Sequence, residues 1–410
     1  MLRQNTKCRI CGSQDLRQFL SFGDQSPANR FLKESELKKP EPAYPLDVYW
    51  CGECSLAQLI DVVDKEELYR NYIYFSSGMP RLSDHFRNYA EDVMRRFLQP
   101  KDFVVEIASN DGILLKFFKD NGYNVLGVDP AENVVKVAES LGVKTKTDFF
   151  SLELARHIVE QHGQAKAILA NNVVAHINDH HDLAQGIRLL LHPNGVFILE
   201  APYILDMFEN LNYDSIYHEH LSYLAVMPLQ ALFEKYDLEI IDVTLYPVQG
   251  LSFRVFVGHK GAHPVSPNVA EFVARERELG FGSFEAYQKL AQRIKSSQQQ
   301  LTTLLKSLKA EGKTIAAYGA PARGNTILNS TKIGADILDY ALEDLPSKVG
   351  LYTPGMHIQV QDRAYKEKHL PDYFLLLAWN YAKPIMEKEK EFVGGGGKFI
   401  VPVGDEIRIM

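Results

Sequence analysis

The sequence predicts an α/β protein in three parts, a small cysteine-held lobe followed by two doubly wound, Rossmann-like sheets. Three observations carry that expectation. All four cysteines fall early, as Cys8-x-x-Cys11 and Cys51-x-x-Cys54. Two short apolar runs, Val104–Ala108 and Thr314–Tyr318, each break into a turn that opens a helix-compatible stretch. After both runs, apolar segments alternate with amphipathic ones, which is the pattern of repeated βαβ units. The expected parts are residues 1–75, 76–262 and 263–410.

Composition narrows the function classes. The chain has 410 residues, 46% of them apolar and 24% charged, as in a globular protein with more than one core. A net charge of −7 disfavours a partner held by its phosphate backbone, so no nucleic-acid partner is expected. No apolar run approaches the ~20 residues that cross a bilayer. The opening Met1–Cys8 has no apolar signal core, so no membrane partner and a cytoplasmic location are expected.

Two Cys-x-x-Cys pairs with no spare thiol match a tetrahedral thiolate zinc site, giving Cys8, Cys11, Cys51 and Cys54 as ligands. Disulfides are the alternative, disfavoured in a reducing compartment. A redox role is disfavoured too, because neither pair opens a helix after a strand. Four protein ligands close such a site, so the metal is structural. Tyr69, Tyr72 and Tyr74 then crowd before Ser76-Ser77-Gly78, and Arg81–Leu98 carries helical apolar spacing.

Val104–Ile107 reads as a buried parallel strand, Ile113–Phe118 as a helix and Asn124–Val128 as a strand ending on Asp129-Pro130. An acid there is placed for ribose hydroxyls. The intervening loop, Ala108, Ser109, Asn110, Asp111, Gly112, has a single glycine, too few for a pyrophosphate. S-adenosylmethionine, which has no phosphate, fits better than NAD. Glu106, Ala108 to Gly112, Asp129, Pro130 and the strand-end pair Asn171 and Asn172 are the candidate cofactor residues. A helix Asn133–Leu141, a strand Ala167–Ala170, an Asp179-capped helix to Leu191 and a strand Val196–Leu199 continue the sheet. Leu238–Thr244 and Ser252–Val257 close it as an antiparallel pair, and Gly261–Asn268 reads as a linker.

His176 lies just past a strand's carboxyl end, where such sheets bind ligands. His176 and His180 have metal-pair spacing, but no third ligand accompanies them, and His180 and His181 read as surface residues. Nine of the eleven residues of Tyr213–Tyr223 have side chains that can donate, accept or titrate. If the stretch is extended, Tyr217 and Glu219 share one side and His218 and His220 the other. A metal pair and plain polar packing compete with a general base beside its carboxylate and phenol. Farther on come a long helix, Ser283–Leu308, and Gly319-Ala320-Pro-Ala-Arg323-Gly324-Asn325, where a helix start, two glycines and an arginine suit a phosphate. Ile337–Leu342, Tyr373–Trp379 and Lys398–Val401 supply later strands.

With the four-cysteine lobe, Tyr217-His-Glu-His-Leu-Ser-Tyr223 and Gly319-Ala-Pro-Ala-Arg-Gly-Asn-Thr326 in view, the chain resembles the sugar C-methyltransferases that act on nucleotide-linked 4-keto-deoxysugars. The likeness runs over nearly its whole length. It implies a central class I S-adenosylmethionine methyltransferase domain and a C-terminal domain that helps hold a small nucleotide-sugar substrate, dTDP- or GDP-linked. It places Tyr217, Glu219, His220 and His176 at the methyl acceptor, with a lobe tyrosine, Tyr74 or Tyr72, reaching the site. Tyr72, His218, Tyr203, Gly319, Ala320, Arg323, Gly324, Asn325 and Lys348 are candidates for the substrate. Ala108 departs from the glycine more usual in that cofactor loop. The implied chemistry is removal of the C3 proton by His220, with Tyr217 or His176 donating to the enolate oxygen and Glu219 orienting. An O- or N-methyltransferase and an NAD-linked nucleotide-sugar oxidoreductase are the alternatives.

Overall fold

The computed structural model describes residues 2–69, 75–76, 80–248 and 250–410. The N-terminal lobe is an antiparallel sheet of β1 (Leu16–Gln25), β2 (Tyr44–Cys51) and β3 (Ala57–Leu59). Along β2, Leu46, Val48 and Trp50 alternate inward, so one face is core and the other is not. The second cysteine pair turns the chain from β2 into β3. The sheet's fourth strand is Ser222–Tyr223, paired antiparallel to Gln58 and Ala57. A strand far along the chain therefore completes the lobe.

The central sheet contains β4 (Phe103–Ile107), β5 (Asn124–Val128), β6 (Thr145–Lys146), β7 (Ala165–Asn171), β8 (Leu191–Pro202), β9 (Leu238–Tyr246) and β10 (Ser252–His259). Their order is β9-β10-β8-β7-β4-β5-β6, and only β10 runs antiparallel to its neighbours. The innermost strands are near-continuous apolar runs because helices cover both faces. Helix α1 (Pro80–Phe97) buries Phe86, Tyr89, Ala90 and Val93 against one face, joined by α2 (Ile113–Asp120). On the other face lie α4 (Leu152–His162) and α5 (His180–Leu190); α3 (Glu132–Ser140) links β5 to β6. Asp179 caps α5 as expected, its carboxylate accepting from the His181 and Asp182 amides.

Two expectations are corrected here. Gly261–Asn268 is not a simple linker: Ser266 caps α6 (Pro267–Glu278), with Pro267 in the first turn where its missing N–H costs nothing. His180 is not a surface residue. It is fully buried and neither ring nitrogen has a partner among the described residues, and burial pushes its pKa down to about 3.

Helix α7 (Phe284–Ala310) buries Tyr287, Leu290, Ile294, Leu301, Leu305 and Leu308. Its N-terminal end packs on the lobe, where Tyr287 Oη donates to the Ser55 carbonyl at 3.3 Å. The third sheet comprises β11 (Ile315–Tyr318), β12 (Ala341–Leu342), β13 (Val360–Gln361), β14 (Tyr373–Leu376), β15 (Lys398–Val401) and β16 (Arg408–Ile409). It runs β13-β12-β11-β14-β15-β16, parallel except for β16. Helix α8 (Ala322–Thr331) follows β11. No helix among the described residues is long and apolar enough to cross a membrane.

Candidate active site

The four thiol sulfurs lie within 4.8 Å of one another, with Cys8–Cys54 at 3.5 Å and Cys11–Cys51 at 3.4 Å. A disulfide needs ~2.05 Å, whereas a zinc tetrahedron with ~2.3 Å bonds has edges of ~3.8 Å. Thiolates crowded this closely repel, and a dication at their centre removes that cost. The residues therefore fit the metal. Among the described residues, His176 and His180 join no comparable cluster.

At the carboxyl edge of β4 and β7 the loop Ala108–Gly112 takes up three left-handed residues: Ala108 at φ 54°, Asn110 at 49° and Gly112 at 77°. That bend aims the Asn110 amide at Asp129, whose two oxygens accept from Asn110 N and Ala131 N at 2.9 Å each. Glu106 is buried and accepts from Asn171 Nδ2 at 3.1 Å, and desolvation holds its carboxyl well above the usual range. Glu106 Oε2, Ser109 Oγ, Asn171 Oδ1 and Asn172 Oδ1 are all buried without a partner among the described residues. Orphaned acceptors along one edge, beside a ribose-placed acid, fit a ligand bearing an ammonium group and a ribose, which S-adenosylmethionine is. Next to them, Glu200 is held in a buried cluster by Arg254 at 2.7 Å and His85 at 2.6 Å, which was not anticipated from the sequence.

The Tyr217–His220 stretch is not extended, contrary to the alternation considered above. It is a turn, closed by the His220 amide on the Tyr217 carbonyl at 2.9 Å. The turn folds Tyr217 back so that its hydroxyl meets His220 Nε2 at 2.8 Å. His220 Nδ1 faces the Ser215 carbonyl at 2.6 Å, and a carbonyl can only accept. Nδ1 therefore carries the proton and Nε2 the lone pair. Burial, the neighbouring His176 and Arg323 hold the His220 pKa well below its ordinary value, so the ring is neutral at pH 7. The His176 ring lies 4.9 Å away, itself lowered to about 4 by burial. Pro202, Tyr203, Met207 and Tyr223 line a small cavity of about 20 Å³ beside His220.

Surrounding residues fix this turn. Asn29 Nδ2 donates to Glu219 Oε1 at 2.6 Å. Tyr69 stacks on His176 and donates to the Glu219 carbonyl at 3.2 Å. Farther along, the Ser76 amide donates to Asn110 Oδ1 at 3.0 Å, so the chain on either side of 70–74 is anchored to both halves of the site. Tyr72 and Tyr74 lie outside the described residues. His218 points into the lobe, its Nε2 donating to the Tyr44 carbonyl at 3.1 Å. Tyr203 gives its hydroxyl to buried Glu276 at 2.7 Å.

The second motif packs directly on the first. Thr326 Oγ1 donates to the Ile216 carbonyl at 2.7 Å and Asn325 Nδ2 to the Ala28 carbonyl at 2.7 Å. Arg323 bonds Asn212 and pairs with buried Asp214 at 3.2 Å, which also accepts from Trp379 Nε1 at 2.7 Å. Lys348 donates to the Ala320 carbonyl at 2.8 Å over the Phe31 ring. Gly319 has φ 86°, and at Gly324 a Cβ would come within 2.9 Å of Leu377, so α8 starts close against β14. Glu343 takes the Ala320 amide at 3.1 Å, occupying one donor of that turn. Asn29, Asn212 and Trp379 carry no motif of their own and meet the site only through tertiary contact, while Tyr69 and Asp214 lie in stretches noted from the sequence without a role assigned to them.

Fold and edge together define a class I S-adenosylmethionine-dependent methyltransferase with a zinc-binding lobe. Family profiles agree: a zinc binding domain matches residues 8–69, a methyltransferase domain 82–243 and a C-methyltransferase C-terminal domain 247–404. The C-methyltransferase NovU of Streptomyces niveus is 36% identical over 405 residues, 98% of this chain and 96% of that protein. The chain belongs to this family of C-methyltransferases. Solved structures of low similarity include the PH0226 protein of Pyrococcus horikoshii, with TM-score 0.37, 14% identity and coverage of 46% of this chain and 95% of that one. Another is the magnesium protoporphyrin IX methyltransferase ChlM of Synechocystis, with TM-score 0.34, 13% identity and coverage of 43% and 82%.

Proposed function

We propose that this C-methyltransferase methylates C3 of a nucleotide-linked 4-keto-deoxysugar, with His220 as the base. The observation that carries the reading is the His220 tautomer: Nδ1–H is spent on the Ser215 carbonyl, so Nε2 is the acceptor, taking the Tyr217 hydroxyl at 2.8 Å with the His176 ring 4.9 Å from its own. Methylating carbon requires a nucleophilic carbon, and a C–H beside a ketone becomes one when a base removes its proton. S-adenosylmethionine, held by Asp129, Glu106 and the Ala108–Gly112 loop, supplies the electrophilic methyl.

In this reading the bound sugar takes over the Tyr217–His220 hydrogen bond: Nε2, released from the phenol, takes the C3 proton while the Tyr217 hydroxyl, or His176, donates to the carbonyl oxygen as charge moves onto it. Burial makes His220 a weak base in isolation, but the imidazolium it forms is paired at once with the enolate. The electron pair left on C3 then forms the new carbon–carbon bond as the carbon–sulfur bond breaks. Glu219, held by Asn29, orients a sugar hydroxyl. Arg323, Lys348 and the Gly319–Asn325 turn hold the nucleotide diphosphate, with Arg323 kept in place by Asp214 and Asn212. The three parts of the chain correspond to lobe, cofactor unit and nucleotide-sugar unit. The test is His220→Asn: turnover is lost while S-adenosylhomocysteine still binds within about threefold of wild type, as for a group needed only for the chemical step. A His220→Asn variant with normal turnover overturns the assignment.

A further inference from the structure

One side chain of the cysteine knuckle reaches both segments that carry the site histidines. Arg9 sits between ligands Cys8 and Cys11 and is buried. Its guanidinium donates to the Leu221 carbonyl, to the Leu59 carbonyl at 2.6 Å and to Asn178 Oδ1 at 3.4 Å. Leu221 directly follows His220, and Asn178 is two residues after His176. The same two segments receive further bonds from the lobe: Leu59 N donates to the Leu221 carbonyl at 3.0 Å and Asn5 Nδ2 to Asn178 Oδ1 at 2.8 Å. Arg9's own amide donates to Gln58 Oε1 at 3.2 Å, in the strand that pairs with Ser222. A buried guanidinium is costly unless its fork is filled. Here two of its three acceptors, the Leu221 carbonyl and Asn178 Oδ1, belong to the histidine-bearing segments and the third, the Leu59 carbonyl, to the lobe strand between them, while Nε has no partner among the described residues. A zinc ion with four thiolates would set a net −2 charge beside it.

We propose that Arg9 is a positioning residue that ties the folded zinc knuckle to the spacing of His176 and His220, so that the zinc-bound lobe sets the geometry of the reacting pair. The inference rests on the assignment of His220 as base. Zinc takes no part in the chemistry in this account. Losing it frees the loop that carries Arg9, and the fork loses its fixed origin.

The test compares Arg9→Met with Lys235→Met in zinc-loaded protein, assayed with a dTDP-linked 4-keto-deoxysugar and, in parallel, the GDP-linked one. Lys235 is exposed and caps the same knuckle from outside, on the Ile10 and Cys11 carbonyls at 3.0 and 3.3 Å, without touching either histidine segment. Arg9→Met is expected to keep one zinc per chain and lose about 10- to 100-fold in kcat, the range seen when outer-shell partners are removed. KM for S-adenosylmethionine should stay within about threefold, and the pH profile of kcat should shift. Diethylpyrocarbonate labelling, read by mass at each histidine without substrate, should quicken at His176 and His220 but not at His259. Lys235→Met should leave kcat and labelling at wild-type values. If Arg9→Met does not fold, Arg9→Lys carries the test: it keeps the charge but not the fork, and an intermediate loss of kcat is expected. Wild-type kcat and labelling in zinc-loaded Arg9→Met or Arg9→Lys would overturn the proposal, as would an equal loss in Lys235→Met. A dead His220→Asn beside a fully active Arg9→Met would sink the coupling alone, whereas an active His220→Asn would sink the base assignment beneath it.

Discussion

Replacing Ala108 with glycine should make the protein more stable, although it deletes a methyl group from a cofactor loop. Ala108 sits at φ 54°. For an L-residue the left-handed region costs about 1–2 kcal/mol, a cost glycine does not share. Against this, glycine gives the unfolded chain more freedom to lose, about 0.4–1 kcal/mol. The midpoints of the two ranges leave Ala108→Gly more stable by about 0.8 kcal/mol. Urea unfolding followed by intrinsic fluorescence should show the midpoint moving up with an unchanged slope. The companion Ala108→Val should move it down by a larger amount, since a β-branched residue at positive φ is a genuine outlier. It should also weaken S-adenosylhomocysteine binding, because the same bend aims the Asn110 amide at Asp129. A midpoint that falls or stays put in Ala108→Gly would refute the claim that the loop forces this alanine into strain.

Further outcomes follow from the site. Burial holds His176 at about 4, below the ~6.5 of an unfolded chain, so below pH 6.5 the unfolded state binds more protons. Stability is therefore intact above pH 6.5 and falls as pH drops toward 4, by about 3 kcal/mol from this group alone. Melts at pH 7, 6 and 5 should show a shallower acid loss in His176→Gln, and an identical slope would contradict it. Cys11→Ser should surrender its zinc to a chelator that leaves the wild type loaded, measured by elemental analysis; equal retention would speak against a four-thiolate site. Tyr217→Phe should lower kcat about 10²- to 10³-fold with little change in cofactor affinity, as expected for a lost donor to developing charge. A wild-type kcat would remove the phenol from the mechanism.

Much of the architecture was readable along the chain because it depends on local pattern. Val104–Ile107, Ala167–Ala170 and Val196–Leu199 are apolar runs between turn residues, and Asp179 announces its helix by cap chemistry. The four cysteines declare their site by number and spacing. The lobe's sheet was not readable, since its fourth strand, Ser222–Tyr223, joins Gln58 and Ala57 from more than a hundred and fifty residues away. The conformation of Tyr217–His220 was not readable for a related reason. Periodicity describes extended or helical backbone, whereas here a tight turn, held by the Ser215 carbonyl and by Thr326 on Ile216, decides which side chains meet. Asn29 carries no signal of its own and Tyr69 only that of a tyrosine-rich stretch; folding brings Tyr69 onto His176 and Asn29 onto Glu219.

The most direct test of carbon-acid chemistry at His220 uses solvent deuterium. The enzyme, loaded with S-adenosylhomocysteine so that no methyl can be transferred, is incubated in deuterated buffer with the 4-keto-deoxysugar nucleotide, and label at C3 is followed by NMR. Wild type should wash deuterium into C3 and His220→Asn should not. No exchange by the wild type under conditions where it turns substrate over, or undiminished exchange by His220→Asn, would contradict the account.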